Sequence, residues 1–170
     1  MMTIPAGSDG GGILAEIESE YRRKFLVFID DSEECDRAVT FAAYRTRRTG
    51  GTVVLMSVIE PPGFQGLGVE DVLRAEALEA AEQNLNRRLR RIAEIGAIKT
   101  ETVIREGRPA DQIEAVIHHD PGIAILVLAA PTLSEGPNAL IAHFAGNSRN
   151  HVLVTVVPGS MSDEEIVAVS

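Results

Sequence analysis

The chain has 170 residues, 45% of them hydrophobic, which is enough to bury a single core of ordinary domain size. Its formal net charge of −9 argues against a phosphate-tracking nucleic-acid binder, because that affinity comes from cations displacing counterions. The single cysteine, Cys35, excludes an intrachain disulfide, and the longest apolar run, Ile123 to Ala130, falls well short of the roughly 20 residues a membrane helix needs. No nucleic acid and no membrane are expected as partners, and a cytoplasmic protein is the simplest reading.

Residues 1–12 (MMTIPAGSDGGG) are Gly-rich and aperiodic and read as a flexible tail, and Ile13 to Tyr21 is a short amphipathic piece. Lys24 to Asp30 (KFLVFID) is continuously apolar before its closing Asp, the pattern of a strand covered on both faces. Asp31 as N-cap with Glu34 at the third helical position predicts a capping box and a helix start. Val39, Ala42, Ala43 and Thr46 give that helix its apolar stripe, and Gly50 closes it. Thr52 to Ile59 is a second buried strand, followed by a Pro/Gly-rich loop at 60–69.

From about Glu70 to Ile95 a long helix is expected, with Val72, Leu78, Ala81, Leu85, Leu89 and Ile92 on one side. Its cluster Arg87, Arg88, Arg90 and Arg91 reads as a solvated face pairing with Glu82 and Glu94. Residues 99–104 form a third strand with one wet face, and about Ala110 to His118 a helix. Ile123 to Ala130 is a fourth strand buried on both faces, Asn138 to Phe144 a short helix, and Val152 to Val157 a fifth strand. Residues 159–170 read as an acidic tail in which Asp163 to Val167 can form a turn of helix. Strands alternating with helices point to a parallel sheet with helices on both faces, a single doubly wound α/β domain over 13–158.

Several stretches together resemble the universal stress protein family. They are a buried strand ending in Asp30, then Ser32-Glu33, Ala38 and Ala42 on the next helix, Gly50-Gly51, and a strand ending Val58-Ile59. Further on, Glu106-Gly107-Arg108-Pro109-Ala110 with Ile113 resembles that family's turn and helix, and Val152 to Pro158 its last strand. The resemblance implies a five-stranded sheet of order 3-2-1-4-5, a dimer and, in one branch, an adenine nucleotide across the carboxyl ends of strands 1 and 4. Topology gives the same location, since ligands in open α/β sheets sit where the strand order reverses. That branch has two glycines three apart in the loop after strand 4. Here the positions are Ala129 and Thr132, and the branch's later Gly-Ser or Gly-Thr pair is missing before the tail.

The resemblance gives Asp30 the adenine and ribose end of such a ligand; the residues alone equally allow it to accept N–H groups at the following helix start. Ser134, Gly136 and Asn138 form a polar patch before a helix, able to hold a phosphate or simply to cap the helix. Arg105, Arg108 and the helix start near Asn138 are the groups expected to offer such a phosphate compensating charge. His118, His119, His143 and His151 lack a ligand-spaced carboxylate or thiol, so no metal is expected, and no Gly-x-Ser-x-Gly elbow supports a hydrolase. Cys35 reads as inert, its acidic neighbours opposing the helix terminus. The expectation is a non-catalytic, dimeric stress or regulatory module without cofactor, pairing through Val152, Val154 and Val156 of the last strand and open to an unidentified protein partner. The alternative is an ATP-binding sensor with slow hydrolysis that uses Asp30, Ser134, Gly136 and Asn138.

Overall fold

The computed structural model describes residues 23–63, 66, 68–132, 138–146 and 151–170. Five strands, β1 (Lys24–Ile29), β2 (Thr52–Ile59), β3 (Lys99–Glu106), β4 (Ile123–Ala130) and β5 (Leu153–Pro158), alternate with five helices. These are α1 (Cys35–Thr49), α2 (Val69–Ile95), α3 (Pro109–His119), α4 (Ala139–Ala145) and α5 (Asp163–Val169). The strands form one parallel sheet of order β3-β2-β1-β4-β5, with β3 and β5 at its edges.

Alternation along β1 divides the core between the two faces. Phe25, Val27 and Ile29 pack with α1 and with Leu85 and Ile92 of α2. Leu26 and Phe28 pack on the other face with Ile113 and Val116 of α3 and Phe144 of α4. Both faces are therefore covered, which is why β1, β2 and β4 read as mainly apolar runs rather than as alternating ones.

Four expectations are corrected. The capping box at Asp31 does not form: α1 starts at Cys35, with Glu34 as a helical N-cap that makes no side-chain cap bond. The chain bends at 31–32 and then turns over 33–37, where the Asp36 N–H donates to the Glu33 carbonyl and the Arg37 N–H to the Glu34 carbonyl, each at 3.0 Å. Val72 and Leu78 do not join the core, because α2 buries side chains only from Ala81 onward. The Arg cluster is a solvated face only in part: Arg87 and Arg90 are exposed, but Arg88 is fully buried, Arg91 turns toward α1, and neither of these two pairs with Glu82 or Glu94.

The fourth concerns the C-terminal segment, which carries a complete helix. Ser162 accepts the Glu165 N–H while the Glu165 carboxylate accepts the Ser162 N–H, a reciprocal cap that starts α5. Ile166 is fully buried, Asp163 pairs with Arg37 at 2.6 Å and Arg91 at 3.5 Å, and Arg48 donates to the Ser170 carbonyl. The segment thus packs as an added element on α1. Residues 1–12 and the amphipathic piece at 13–21 lie outside the described residues.

Candidate functional site

The strand order reverses between β1 and β4, so their carboxyl ends open the crevice in which a ligand of an open α/β sheet sits. Asp30 follows β1 directly. Its Oδ1 accepts the Ser32 N–H at 2.8 Å, the Ser32 hydroxyl, and the Cys35 thiol at 3.0 Å. Burial raises the Asp30 pKa, but the bonds from Ser32 and Cys35 and the positive charge of Arg88 together hold it below the ordinary carboxylate value. The side chain is therefore an ionised acceptor already engaged by the turn it initiates.

That turn is anchored from α2. Asn84 Nδ2 donates to the Asp30 carbonyl at 3.0 Å, and Arg88 Nη2 to the Ser32 carbonyl at 3.0 Å. Arg88 also bonds Asn84 and lies 3.4 Å from Asp36 through Nε. Arg88 and Asn84 were not singled out by sequence reasoning as parts of this site. The available signal was spacing: Arg88 falls on the helical stripe of Ala81, Leu85 and Ile92, so it had to point inward.

Across the crevice, the Glu34 carboxylate accepts the Thr132 N–H at 3.4 Å, a long bond. Its pKa is lowered by backbone N–H groups, first its own and then that of Thr132. Gly159 donates to the Ala130 carbonyl at 2.9 Å and carries no side chain, and a β-carbon there would collide with Glu34 Cγ and with Thr132 Oγ1. Glu34 Cγ thus packs against Gly159, with the carboxylate at the loop amide that follows β4.

Of the other candidates, Asn138 is the N-cap of α4, its Oδ1 accepting the Leu140 N–H at 2.8 Å. Ser134 and Gly136 lie outside the described residues. Arg108 pairs with Asp111 at 3.8 Å, and Arg105 belongs to β3, three strand spacings or about 14 Å from β4, so neither compensates charge in the crevice. His143 Nε2 meets Glu114 Oε1 at 2.6 Å between α4 and α3. Among the described residues no group of three or more His, Cys, Asp or Glu side chains converges to hold a metal ion. No helix among them is long and apolar enough to cross a membrane.

Residues 22–158 match the model of the universal stress protein family. Among solved structures, the universal stress protein UspA from Lactobacillus plantarum is 20% identical over 80% of this chain and 97% of its own, with a TM-score of 0.68. A universal stress protein from Archaeoglobus fulgidus in complex with dAMP is 18% identical over 81% of this chain and 98% of its own, TM-score 0.59. A universal stress protein family protein from Arabidopsis thaliana with AMP bound is 16% identical over 84% and 94%, TM-score 0.57. No curated protein matches the chain by sequence.

Proposed function

The chain belongs to the universal stress protein family, and from that premise we propose that it works as a non-catalytic, homodimeric regulatory module of the cytoplasm whose nucleotide crevice is filled by its own Glu34. The observation that carries this reading is the Glu34 carboxylate on the Thr132 N–H. Asp30 supports it, since its Oδ1 already accepts three bonds from Ser32 and Cys35. So do Ala129 and Thr132, which add side chains where a phosphate loop needs the close approach of glycine. Dimerisation is assigned to the β5 edge, where Leu153 and Val156 are exposed and Val154 stands between them; Val152 precedes the strand.

A second reading, an adenine-nucleotide sensor centred on Asp30, is favoured by the relatives solved with AMP or dAMP. One experiment separates the two. The purified protein is denatured and the supernatant assayed for nucleotide, and the native protein is melted with and without millimolar Mg-ATP. The proposal expects no released nucleotide and no shift. A ligand at about 100 times its dissociation constant stabilises by ~2.7 kcal/mol, so a rise of more than about 5 °C that Asp30→Ala abolishes establishes the sensor instead.

A further inference from the structure

The helix α2 is too long for the sheet it packs on. Its 27 residues span about 40 Å, whereas the eight-residue strand β2 beside it spans about 26 Å. The overrun is at the amino end, where no residue before Ala81 is buried. Four of the seven exposed large hydrophobic residues among the described residues sit there: Val69 at 45%, Val72 at 56%, Leu73 at 37% and Leu78 at 41%.

One contact fixes the rotation of this overhang. Arg74 Nε bonds both oxygens of Glu106 at the end of β3, at 3.2 and 3.0 Å. At 100° per residue, Val69 and Val72 then project roughly 140–160° away from Arg74 and Leu73 about 100° away. These three side chains form an apolar strip that faces away from the protein's own core. The start of the helix adds no support, because Gly68 at the N-cap has φ 85° and no side chain to cap with. About three turns of uncapped helix with no packing of their own are marginal in water, so the strip gains most from a partner.

The charge around the strip selects that partner. Between Val69 and Glu82 the helix carries Glu70, Asp71, Glu76, Glu79 and Glu82 against Arg74 alone, and Arg74 is committed to Glu106. Glu76 and Glu79 follow Val69 and Val72 by seven residues and so continue the same strip. A second copy of the helix would set these carboxylates against themselves. The chain's own segment at 13–21 would do the same with Glu16, Glu18 and Glu20. We propose that the amino-terminal half of α2 is a docking face for a cationic amphipathic helix of another protein, whose apolar side chains cover Val69, Val72 and Leu73 while its Lys or Arg residues meet Glu76 and Glu79.

The test uses the full chain and a fluorescein-labelled peptide of about 15 residues made only of leucine and lysine, with leucines at i, i+3, i+4 and i+7. A second peptide of the same composition has its leucines moved off that spacing. Fluorescence anisotropy is expected to show saturable binding of the patterned peptide, weakened by about tenfold or more in Val69→Gln/Val72→Gln. Glu76→Lys/Glu79→Lys, which leaves the apolar strip in place, is expected to abolish it. Both double variants alter exposed side chains, and circular dichroism checks that they fold. The proposal is overturned if the patterned peptide does not bind, if both peptides bind equally, or if Val69→Gln/Val72→Gln binds as the wild type does. It is also overturned if that variant turns a wild-type dimer into a monomer by light scattering, since the covering chain is then a second copy.

Discussion

Arg88 Nη2 donates to the Ser32 carbonyl oxygen at 3.0 Å, so a guanidinium with no solvent exposure holds the turn that carries Asp30. It bonds Asn84 at the same time and pairs with Asp36 from α1, tying α2, α1 and the end of β1 together. Removing it leaves a half-buried carbonyl and a half-buried carboxylate without their cation. Arg88→Ala is therefore expected to destabilise the fold by about 3 kcal/mol, a fall in Tm of roughly 6–12 °C for a domain of this size. A loss of less than about 1 kcal/mol in a denaturant titration would mean that water takes over these bonds.

Cys35 tests the same region from its other side. Burial is the main cause that pushes its thiol up to about 12, and the neighbouring Asp30 carboxylate adds to it, while the Asp30 N–H opposes. A thiol reagent added at pH 8 is expected to find almost no reaction in the native protein and one thiol per chain after denaturation. Stoichiometric labelling of the folded protein within minutes would contradict this environment.

The opposite end of β1 gives the pH dependence. Lys24 Nζ lies 2.7 Å from Asp120 and 2.9 Å from Glu101. Burial opposes ionisation of Asp120, but the bonds from Lys24 and from the Gly122 N–H lower its pKa below 3.8. Its contribution is fully present above that value and is lost as pH falls through the lower native one. Lys24 is raised above 10.5, chiefly by its bond to Asp120, so its contribution is lost as pH rises through its native value. Asp120→Asn should cost about 1 kcal/mol at pH 7 for this partly exposed pair. The difference from wild type should vanish at both pH extremes in urea titrations, and a difference constant across pH would rule out the ion pair as its source.

The sheet was legible because both faces of β1, β2 and β4 are covered, and runs such as KFLVFI and IAILVLAA have no other stable environment. Its order came from the resemblance carried by Asp30, Gly50-Gly51 and Gly107-Arg108-Pro109. The site was legible less evenly. Asp30 could be named, but Glu34 was assigned to a capping box because its true partner, Thr132, is 98 residues away, and no local spacing encodes that contact. Arg88 was read as solvated because composition outweighed its place on the Ala81–Ile92 stripe. The helix at 163–169 was discounted as a tail although Ser162 and Glu165 spelled its cap, because its single buried anchor, Ile166, acquires meaning only against α1.

The β5 edge is where the proposed dimer can be broken. Leu153 is 71% exposed and Val156 38%, on a strand that among the described residues pairs only with β4. Lysine at an open edge opposes pairing with another chain, so Leu153→Lys/Val156→Lys is expected to be monomeric by light scattering while melting close to the wild type. A wild type that is itself monomeric at micromolar concentration would remove the dimer from the reading.

The Glu34–Thr132 contact makes the last prediction. A carboxylate repels an approaching polyphosphate even through water, and an N–H released from it becomes a donor for a charged ligand. Glu34→Ala removes the charge and frees the amide, so it is expected to strengthen Mg-ATP binding by about tenfold or more. Glu34→Gln removes the charge but keeps an oxygen able to accept the Thr132 N–H, and should fall between Glu34→Ala and wild type. If Glu34→Ala brings the dissociation constant to a tenth of the ligand concentration, the gain is about 1.4 kcal/mol, a rise of roughly 3–6 °C in Tm. Wild type, at least tenfold weaker, should rise by no more than about 2 °C under the same conditions. A wild type stabilised as much as Glu34→Ala would show that the carboxylate yields its place to the ligand, and the crevice would then be a nucleotide site after all.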